Sequence, residues 1–354
     1  MIPRLFRERW QGWLLRHLSR AEGALERVRR RLLPPQLVLF RDVTAPWLAS
    51  ALCVAARLGL ADRLSEEGRD LHELAREVEL PSEDLARLLA VLQAHGYFRL
   101  QSGKVQSTSL SSALSVRVAG SFAELQGRGW YRKAFHSGRV LQGWREGATP
   151  FQVGTGEPFF DFLASRPGAE RLFSRAMADV TRFCAPFLAA ELRFGQNARV
   201  LDVGGGDGEL AQALLQRHPS LSLAVLDRAA PEGETAPWIR LQGDFFQQIP
   251  GGFDHLLLKN ILHDWDDEPC RRLLERCREA VERGARLTVI ECLLPEGEGA
   301  EALPFALDWN VWMTLSGRER TEEQYRGLLA RAGWALERSR ATATPYWLLE
   351  ARAE

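Results

Sequence analysis

A glycine-rich turn between a buried strand and a helix is the feature that most constrains the fold of this chain. The strand is predicted over residues 199–203, the turn over Gly204–Gly208 and the helix from Glu209 to 217, before a second strand at 221–226. This order makes a βαβ unit. A turn without side chains lets the backbone approach a ligand at a helix N-terminus, which predicts a ligand site here. It is weak evidence for a dinucleotide, because that fingerprint needs glycine where Glu209 stands.

Two further predicted strands extend this sheet. They cover residues 253–259 and 286–291 and enclose a helix at 267–283, which predicts a parallel, doubly wound arrangement. Asp227 ends the second strand, and Asp244 lies at the predicted end of a third strand, which precedes the strand at 253–259. Ligands bind outside the carboxyl ends of such strands. We expect Asp227 to accept hydrogen bonds from ribose hydroxyls and Asp244 to lie at an adenine. For Asp227, helix capping or a solvated turn is the alternative interpretation.

The N-terminal half is predicted to be mostly helical, with a small hairpin at its end. Three helices precede two short strands, the order of a winged helix, at residues 47–64, 71–78, 81–96, 97–100 and 105–108. Winged helices often bind DNA, but the third helix begins with Glu83 and Asp84 and offers only Arg87 before His95. Groove contacts come from clustered basic and amide side chains, so we expect no nucleic acid and favour a dimerisation role.

The first helix predicted in the chain is basic and amphipathic. Residues 4–32 contain nine arginines against three glutamates, with apolar residues at helical spacing. Two interpretations stay open, an arm packed on a partner subunit and a peripheral contact with a membrane surface. The whole chain has 46 basic and 46 acidic residues, so no global field draws it to nucleic acid or membrane.

Composition also limits the compartment and the metal chemistry. The five cysteines are scattered and include no C-x-x-C pair, which argues against a disulfide framework or zinc knuckle and favours a reducing cytoplasm. Neither a signal peptide nor about 18 consecutive apolar residues is present, so we expect no integral membrane association. Six histidines outside the predicted catalytic site lack metal-ligand spacing, and we predict no metal.

Several motifs together resemble one family. The segment Asp202–Gly208 is similar to the cofactor loop of class I S-adenosylmethionine-dependent methyltransferases. Four further motifs resemble the caffeate-type two-domain small-molecule O-methyltransferases, including bacterial members that tailor natural products: Gly243–Phe246, Lys259–Glu268, Ile290–Pro295 and Gly317–Thr321. The resemblance extends from about Ala45 to the C-terminus. It implies a Rossmann-like methyltransferase sheet, an N-terminal winged-helix dimerisation domain and a homodimer.

The resemblance also assigns residue roles. It implies that His263 is the general base and that Glu291 and Glu319 flank its imidazole. The implied S-adenosylmethionine pocket comprises Asp202, Gly204, Gly206, Asp227, Asp244, Phe245 and Lys259. The implied acceptor pocket comprises Asp264, Met177, Trp309, Asn310 and Met313. The four-part organisation is an arm at 1–40, a winged helix at 41–112, a helical linker and substrate region at 113–195, and a catalytic domain at 196–354.

The chemistry of His263 agrees with the implied role. It follows a predicted strand at the ligand edge of the sheet, and an ordinary histidine pKa of about 6.5 permits proton acceptance at neutral pH. We predict methyl transfer to a hydroxyl, a phenolic one above all, of a small aromatic or polyketide-like secondary metabolite. Alternatives are a C- or N-methyltransferase, a non-methylating tailoring enzyme of the same fold and, remotely, a non-enzymatic regulator. For His263 itself the alternative is a surface histidine that leads a helix.

Overall fold

The structure is a computed structural model that describes residues 4–65, 67–228, 236–295 and 302–354. The chain divides into two compact units, each made of separate stretches. The catalytic unit, as we call it below, comprises Met1–Ala24, Ala134–Phe162 and Cys184–Glu354. The helical unit comprises Leu25–Lys133 and Leu163–Phe183. The four-part organisation expected from the sequence stays a prediction.

Helices account for most of the described chain. The α-helices are α1 (Arg4–Leu32), α2 (Pro35–Arg57), α3 (Leu71–Glu77), α4 (Ser82–Ala94), α5 (Ser109–Ser112), α6 (Gly120–Gly127), α7 (Gly129–Arg132), α8 (Ser137–Glu146), α9 (Pro150–Thr155), α10 (Phe159–Ala164), α11 (Pro167–Glu191), α12 (Glu209–Arg217), α13 (Asp267–Glu279), α14 (Ala302–Thr314) and α15 (Glu322–Arg331). Short 3-10 helices cover Ala61–Arg63, Lys133–Phe135 and Leu262–Asp264.

The strands form two sheets. They are β1 (Arg69–Asp70), β2 (Phe98–Gln101), β3 (Lys104–Ser107), β4 (Arg199–Val203), β5 (Ser222–Asp227), β6 (Ile239–Gln242), β7 (His255–Lys259), β8 (Arg286–Cys292), β9 (Trp334–Ala341) and β10 (Tyr346–Ala353). The small sheet has the order β1-β3-β2 and the large one the order β6-β5-β4-β7-β8-β10-β9.

The large sheet of the catalytic unit is mixed. Strands β6, β5, β4, β7 and β8 are parallel neighbours, as predicted. Strand β10 runs antiparallel to both β8 and β9, an edge of the sheet for which no strand was predicted. Strands β9 and β10 are antiparallel because only residues 342–345 separate them, and a connection this short can join antiparallel strands but not parallel ones.

Both faces of the large sheet are covered. One face packs the buried side chains of α13 and α15, including Leu273, Cys277 and Tyr325, against β4, β7 and β8. The other packs the end of α11 and helix α12, including Leu188 and Leu214, against the same strands. Strands buried on two faces need nearly continuous apolar sequence, which β7 has in three successive leucines. The core thus fixes the carboxyl ends of these strands, where the candidate site lies.

The helical unit contains the predicted helices and hairpin in the predicted order. Its core is formed by apolar residues of α2, α3, α4 and the small sheet, with Leu74, Leu85, Leu89 and Phe98 fully or almost fully buried. Strand β1 pairs with β3 and adds a third strand to the predicted hairpin. Helix α2 begins at Pro35, twelve residues before the predicted start at position 47, since Pro35 suits a first helical position.

Helix α2 differs from expectation in a second way. Within the described residues it is the helix long and apolar enough to cross a membrane, by length and composition alone. The expectation of no such helix counted uninterrupted apolar residues, whereas α2 contains Arg41 and Asp42 yet has high mean hydropathy. Its C-terminal half packs into the core of the helical unit, where Cys53 and Ala55 are buried.

The segment from Leu25 to Trp47, here called the N-terminal hairpin, packs very differently. It joins the end of α1 to the start of α2, and almost every side chain in it is exposed. The exposed apolar residues are Leu25, Val28, Leu32, Leu37, Leu39, Phe40, Val43 and Trp47. An ion pair of 2.8 Å between Arg30 and Asp42 links its two helices. Apolar surface of this extent on one segment is typical of an interaction site.

Candidate active site

A short connection after β7 carries the predicted base. Residues 261–265, here called the histidine loop, lie between the end of β7 and α13 and include the 3-10 helix Leu262–Asp264. The preceding residue, Asn260, has a φ of 54°, a left-handed conformation that asparagine tolerates better than most residues. The chain thus turns at the carboxyl edge of the sheet and brings the His263 side chain to a position where 16% of it is exposed.

Glu291 holds the histidine loop from the sheet side. It lies near the end of β8, the parallel neighbour of β7, and its side chain is fully buried. Its Oε1 accepts hydrogen bonds from the backbone N–H groups of Ile261 at 3.0 Å and Leu262 at 2.8 Å. Its Oε2 lies 3.5 Å from Nδ1 of His263. Glu291 therefore anchors the loop backbone as well as flanking the imidazole.

Glu319 is the direct partner of the imidazole. Its Oε1 lies 2.9 Å from Nδ1 of His263, and its own backbone N–H donates to Oδ1 of Asp308 on α14 at 2.9 Å. Gly317 makes this approach possible, since a Cβ at that position would lie 2.0 Å from the carbonyl oxygen of His263. The carboxylate therefore meets Nδ1, which leaves Nε2 on the opposite edge of the ring.

The carboxylates change the proton affinity of this site. Burial alone would lower the pKa of His263, but the negative charges of Glu291, Glu319 and Asp264 outweigh it and raise that pKa well above the ordinary value. Burial raises the pKa of Glu291, repulsion by Glu319 and Asp264 adds to this, and His263 opposes it. Nε2 of His263 lies 3.3 Å from Oδ1 of Asp264. The imidazole therefore holds a proton more strongly than the ordinary histidine pKa expected from the sequence, and its neutral form is a strong base toward a phenolic hydroxyl.

An arginine missed by the sequence reasoning completes the loop's contacts. Arg320 is fully buried, and its guanidinium donates to the carbonyl oxygens of Leu262 at 3.0 Å and Trp265 at 2.8 Å. It also donates to Oδ1 of Asp267 at 3.0 and 2.9 Å. Arg320 lies within the motif Gly317–Thr321, in which the resemblance assigns a role only to Glu319. The available signal was its spacing of two from Arg318, which on an extended segment puts both arginines on the face opposite Glu319.

The glycine turn lies beside the histidine loop at the same edge of the sheet. Gly204 has a φ of 73°, and a Cβ there would lie 2.4 Å from Cδ1 of Ile261 and 3.5 Å from the Phe245 ring. The N–H of Gly206 donates to Oδ2 of Asp227 at 2.9 Å. The N–H of Gly243 donates to the carbonyl oxygen of Asp227 at 3.0 Å. The predicted residues Gly204, Gly206, Asp227 and Phe245 are therefore brought together.

Asp244 lies next to this group, but its carboxylate is already engaged. Oδ1 accepts from the N–H of Phe246 at 2.9 Å, and Oδ2 lies 3.4 Å from the side-chain nitrogen of Gln247. Such bonds are typical of an aspartate that stabilises its own turn. Its predicted contact with adenine stays a prediction.

Asp202 of β4 and Lys259 of β7 lie on neighbouring strands and act on each other electrostatically. Both oxygens of Asp202 are buried and accept no hydrogen bond from the residues that the structure describes. Burial raises the pKa of Asp202 to about 7, with Lys259 opposing and Asp227 reinforcing the shift. The Lys259 ammonium lies 4.8 Å from the centroid of the Tyr346 ring, and burial lowers its pKa.

These groups fit S-adenosylmethionine, the cofactor that the resemblance implies. Its ribose offers two hydroxyls, which the carboxylate of Asp227 can accept as hydrogen bonds. Its amino and sulfonium groups are cationic, and a cation bound near Asp202 would favour the charged form of that buried carboxylate, whose oxygens accept no hydrogen bond from the described residues. The backbone at Gly206 borders open space where a ligand can approach.

The predicted acceptor residues are less uniform. Asp264 faces Nε2 of His263, as described above. Trp309 is 44% exposed and stacks on Trp312 at 5.0 Å, with Trp144 of α8 at 5.9 Å, in an aromatic cluster at the surface of the catalytic unit. Met313 is buried, and the Asn310 carbonyl accepts from Thr314. Met177 belongs to the helical unit, where its carbonyl accepts from Thr181. Acceptor contacts by these residues stay predictions.

The imidazole and the two glutamates also satisfy a distance criterion for metal ligands. One ligand atom from each of His263, Glu291 and Glu319 lies within 4.8 Å of the others. The predicted absence of a metal rests on the spacing of the six other histidines, to which this cluster does not belong. The absence of a metal from the enzyme stays a prediction.

Comparison with known proteins gives one family. A family model for the O-methyltransferase domain matches residues 138–335. The chain is 31% identical over 344 residues to a phenazine O-methyltransferase of Lysobacter antibioticus, covering 92% of this chain and 99% of that protein. It is 33% identical over 323 residues to a phenazine-1-carboxylate N-methyltransferase of Pseudomonas aeruginosa, covering 85% of this chain and 92% of that protein.

A solved structure adds the cofactor. A methyltransferase of calicheamicin biosynthesis, in its S-adenosylhomocysteine-bound form, superposes with a TM-score of 0.76 at 27% identity, covering 90% of this chain and 98% of that one. S-adenosylhomocysteine is what S-adenosylmethionine becomes when it gives up its methyl group. The fit of the glycine turn and Asp227 to this cofactor therefore agrees with the comparison.

Proposed function

The chain belongs to the caffeate-type O-methyltransferase family, whose members use S-adenosylmethionine to methylate small molecules, and we propose that it methylates a phenolic hydroxyl with His263 as general base. The observation that carries the proposal is the 2.9 Å contact between Nδ1 of His263 and the buried Glu319. A carboxylate on one ring nitrogen fixes the tautomer and leaves the other nitrogen to accept a proton. Nε2 is that acceptor here.

Deprotonation and positioning are the work of the chain's own residues. The bound cofactor supplies an electrophilic methyl group on a sulfonium. Nε2 of His263 takes the hydroxyl proton, so that an oxygen lone pair is free to attack, and Glu319 stabilises the imidazolium that forms. Asp264, 3.3 Å from Nε2, orients the hydroxyl before the proton moves. Because the pKa of His263 is raised, the neutral imidazole is a stronger base than an ordinary histidine.

Cofactor binding follows from the edge of the sheet. We assign Asp227 to the ribose hydroxyls, Gly204 and Gly206 to close backbone approach, and Phe245 to contact with the adenine. The carboxyl group of Asp202 lies beneath the glycine turn, and the positive charge of Lys259 favours its ionised form. Asp244 contributes through the turn that its carboxylate stabilises, which carries Phe245.

We propose a flat aromatic secondary metabolite as the acceptor. Two relatives are named for phenazine substrates, and fused aromatic rings are the kind of surface that tryptophan and methionine side chains bind. Trp309, Asn310 and Met313 are the candidate contacts. One of the two relatives is an N-methyltransferase, so nitrogen methylation is the second candidate. The imidazole of His263 with its Glu319 carboxylate favours oxygen as the atom methylated, since a hydroxyl must lose a proton on methylation.

Calorimetric titration with S-adenosylhomocysteine tests the cofactor site. We expect micromolar binding to the wild type, binding to His263→Ala with similar affinity, and loss of binding in Asp227→Ala. Hydroxylated phenazines and naphthoic acids then serve as acceptors, with the product identified by mass spectrometry. No binding to the wild type would contradict the proposal, and methylation at nitrogen alone would contradict its oxygen specificity.

We further propose that the enzyme is a homodimer working in the cytoplasm. The exposed apolar side chains of the N-terminal hairpin support a second copy as its cover, since they find no core in the described chain. The five cysteines are buried as thiols, which supports a reducing compartment. The competing outcome is a peripheral membrane contact through the N-terminal hairpin and the basic helix α1 that leads into it. Co-sedimentation with anionic vesicles would detect it.

A further inference from the structure

Arg320 bonds to the backbone of the histidine loop on both sides of the base. Its two terminal nitrogens donate to the carbonyl oxygens of Leu262 and Trp265, at 3.0 and 2.8 Å. These two residues bracket His263 and Asp264, so one planar group spans the loop that carries the base. The thiol of Cys270 is a further donor to the Leu262 carbonyl, at 3.1 Å.

Arg320 is itself held on three sides. Nε and Nη2 donate to the same carboxylate oxygen of Asp267, at 3.0 and 2.9 Å, and Nη1 donates to the carbonyl oxygen of Arg318 at 3.2 Å. Its own carbonyl oxygen accepts from the N–H of Leu294, just beyond β8, at 3.0 Å. A buried guanidinium is costly unless its donors are satisfied, and these contacts satisfy them. Its position is therefore fixed by the sheet on one side and by α13 on the other.

Glu291 holds the same loop through the opposite set of backbone groups. Its carboxylate accepts from the N–H groups of Ile261 and Leu262, whereas Arg320 donates to carbonyl oxygens of Leu262 and Trp265. The carboxylate of Glu291 thus binds backbone N–H groups of the histidine loop, and the guanidinium of Arg320 binds carbonyl oxygens of the same loop. Neither contact needs the His263 side chain, but together they decide where it lies relative to Glu319.

We infer that Arg320 is a positioning residue for methyl transfer, which holds the histidine loop so that the imidazole of His263 meets Glu319. Lysine cannot replace it. An ammonium is a single point donor, whereas the guanidinium is a planar fork that reaches Leu262, Trp265 and Asp267 together. The inference rests on the proposed function of His263, and its test must be able to fail separately.

The test compares Arg320→Lys with Arg318→Lys. Arg318 lies two residues away and pairs with the same Asp267 through Oδ2 at 2.7 Å, but its side chain is not among the donors to the loop carbonyls. For Arg320→Lys we expect kcat to fall by roughly 10- to 100-fold, as a displaced catalytic group can cause. The dissociation constant for S-adenosylhomocysteine should change less than about twofold, since no contact with its adenine, ribose or amino-acid group is assigned to Arg320. Arg318→Lys should behave as the wild type.

The pH profile distinguishes positioning from a merely structural role. The groups that face the imidazole are Glu291, Glu319 and Asp264, and all three favour its protonated form. If Arg320→Lys lets the ring move away from Glu319, the acidic limb of kcat/KM moves to lower pH. A lower kcat with an unmoved limb, or a kcat equal to that of Arg318→Lys, would overturn the inference.

A second variant covers the case in which Arg320→Lys does not fold. Asp267→Asn keeps the Arg320 side chain but removes the carboxylate that orients its guanidinium, so the bonds of Arg320 to the loop carbonyls should weaken. Because Asp267 is half-exposed, we expect the variant to fold. We expect the same direction of change in kcat and in the acidic limb, by a smaller amount. A wild-type profile in Asp267→Asn would overturn the inference. If His263→Ala proved fully active, the proposed function would fail instead.

Discussion

The histidine loop and the N-terminal hairpin differ in how far the described chain binds or covers their polar and apolar groups: the loop's polar backbone groups are hydrogen-bonded, whereas the hairpin's apolar side chains are exposed. In the loop, backbone N–H groups and carbonyl oxygens are taken up by Glu291 and Arg320, both buried. In the hairpin, Phe40 is 62% and Trp47 73% exposed. The polar groups of the loop are satisfied within one chain, whereas the apolar side chains of the hairpin are not covered by the described residues. Function that needs fixed geometry is expected in the first, and association in the second.

The largest effect expected from this contrast follows from His263→Ala. Removing the base should lower kcat by about 10³-fold, within the usual contribution of general base catalysis. The loop backbone keeps its bonds to Glu291 and Arg320, so folding and binding of S-adenosylhomocysteine should be unchanged. Steady-state kinetics and calorimetry on one preparation measure both. A loss of cofactor binding equal to the loss of rate would mean that His263 belongs to the cofactor pocket.

A double change in the hairpin should have the next largest effect, on assembly rather than on catalysis. Phe40→Ser with Trp47→Ser removes two large apolar groups from each copy, and burial of such a side chain contributes about 1.5–3 kcal/mol. The dissociation constant of the dimer should therefore rise by at least roughly 100-fold. Light scattering over a concentration series measures it. The control is Trp144→Ser, an exposed tryptophan of the catalytic unit, which should leave the dimer intact.

A wild type that stays monomeric at high concentration would contradict the dimer itself. Binding of that monomer to anionic vesicles, lost in the double variant, would then assign the hairpin to a membrane surface.

The same contrast explains which predictions from the sequence were accurate. The strand Arg199–Val203 and the helix Glu209–Arg217 were predicted with their observed bounds, because apolar runs and glycine turns encode such elements locally. The start of α2 was missed by twelve residues, since its apolar residues form no one-sided stripe and Pro46 lies within the helix. Periodicity predicts a helix from the face that it buries, and the first half of α2 buries none.

The site shows a similar division. The sequence motifs indicated His263, Glu291 and Glu319, which the structure brings together. They did not separate the roles of the two glutamates, because backbone N–H contacts such as those of Glu291 depend on the path of the loop. Arg320 was missed for the same reason, since its partners are carbonyl oxygens, which carry no sequence signature. The antiparallel edge formed by β9 and β10 was not predicted.

Glu319→Gln should have a smaller effect than removal of the base, and one with a defined pH dependence. A hydrogen bond to a charged group contributes about 1.5–3 kcal/mol, so the rate at its plateau should fall roughly 10- to 100-fold. The negative charge of Glu319 raises the pKa of His263, and its loss must lower that pKa. The acidic limb of kcat/KM therefore moves to lower pH, because the neutral imidazole persists further into acid. A limb that moved to higher pH would show that Glu319 does not act on the imidazole through its charge.

The smallest effect is expected for the ion pair within the hairpin, Arg30 with Asp42. Both side chains are about half-exposed, and water and salt screen such ion pairs. Asp42 raises the pKa of Arg30, and Arg30 lowers the pKa of Asp42. Asp42→Asn should leave the melting temperature and the dimer unchanged within error. Asp267→Asn, which removes the partner of the buried Arg320, should lower the melting temperature in the same assay. If Asp42→Asn destabilised the protein as much as Asp267→Asn, the hairpin pair would have to be buried in the assembled enzyme, and the second copy would then cover Asp42 as well as the apolar face.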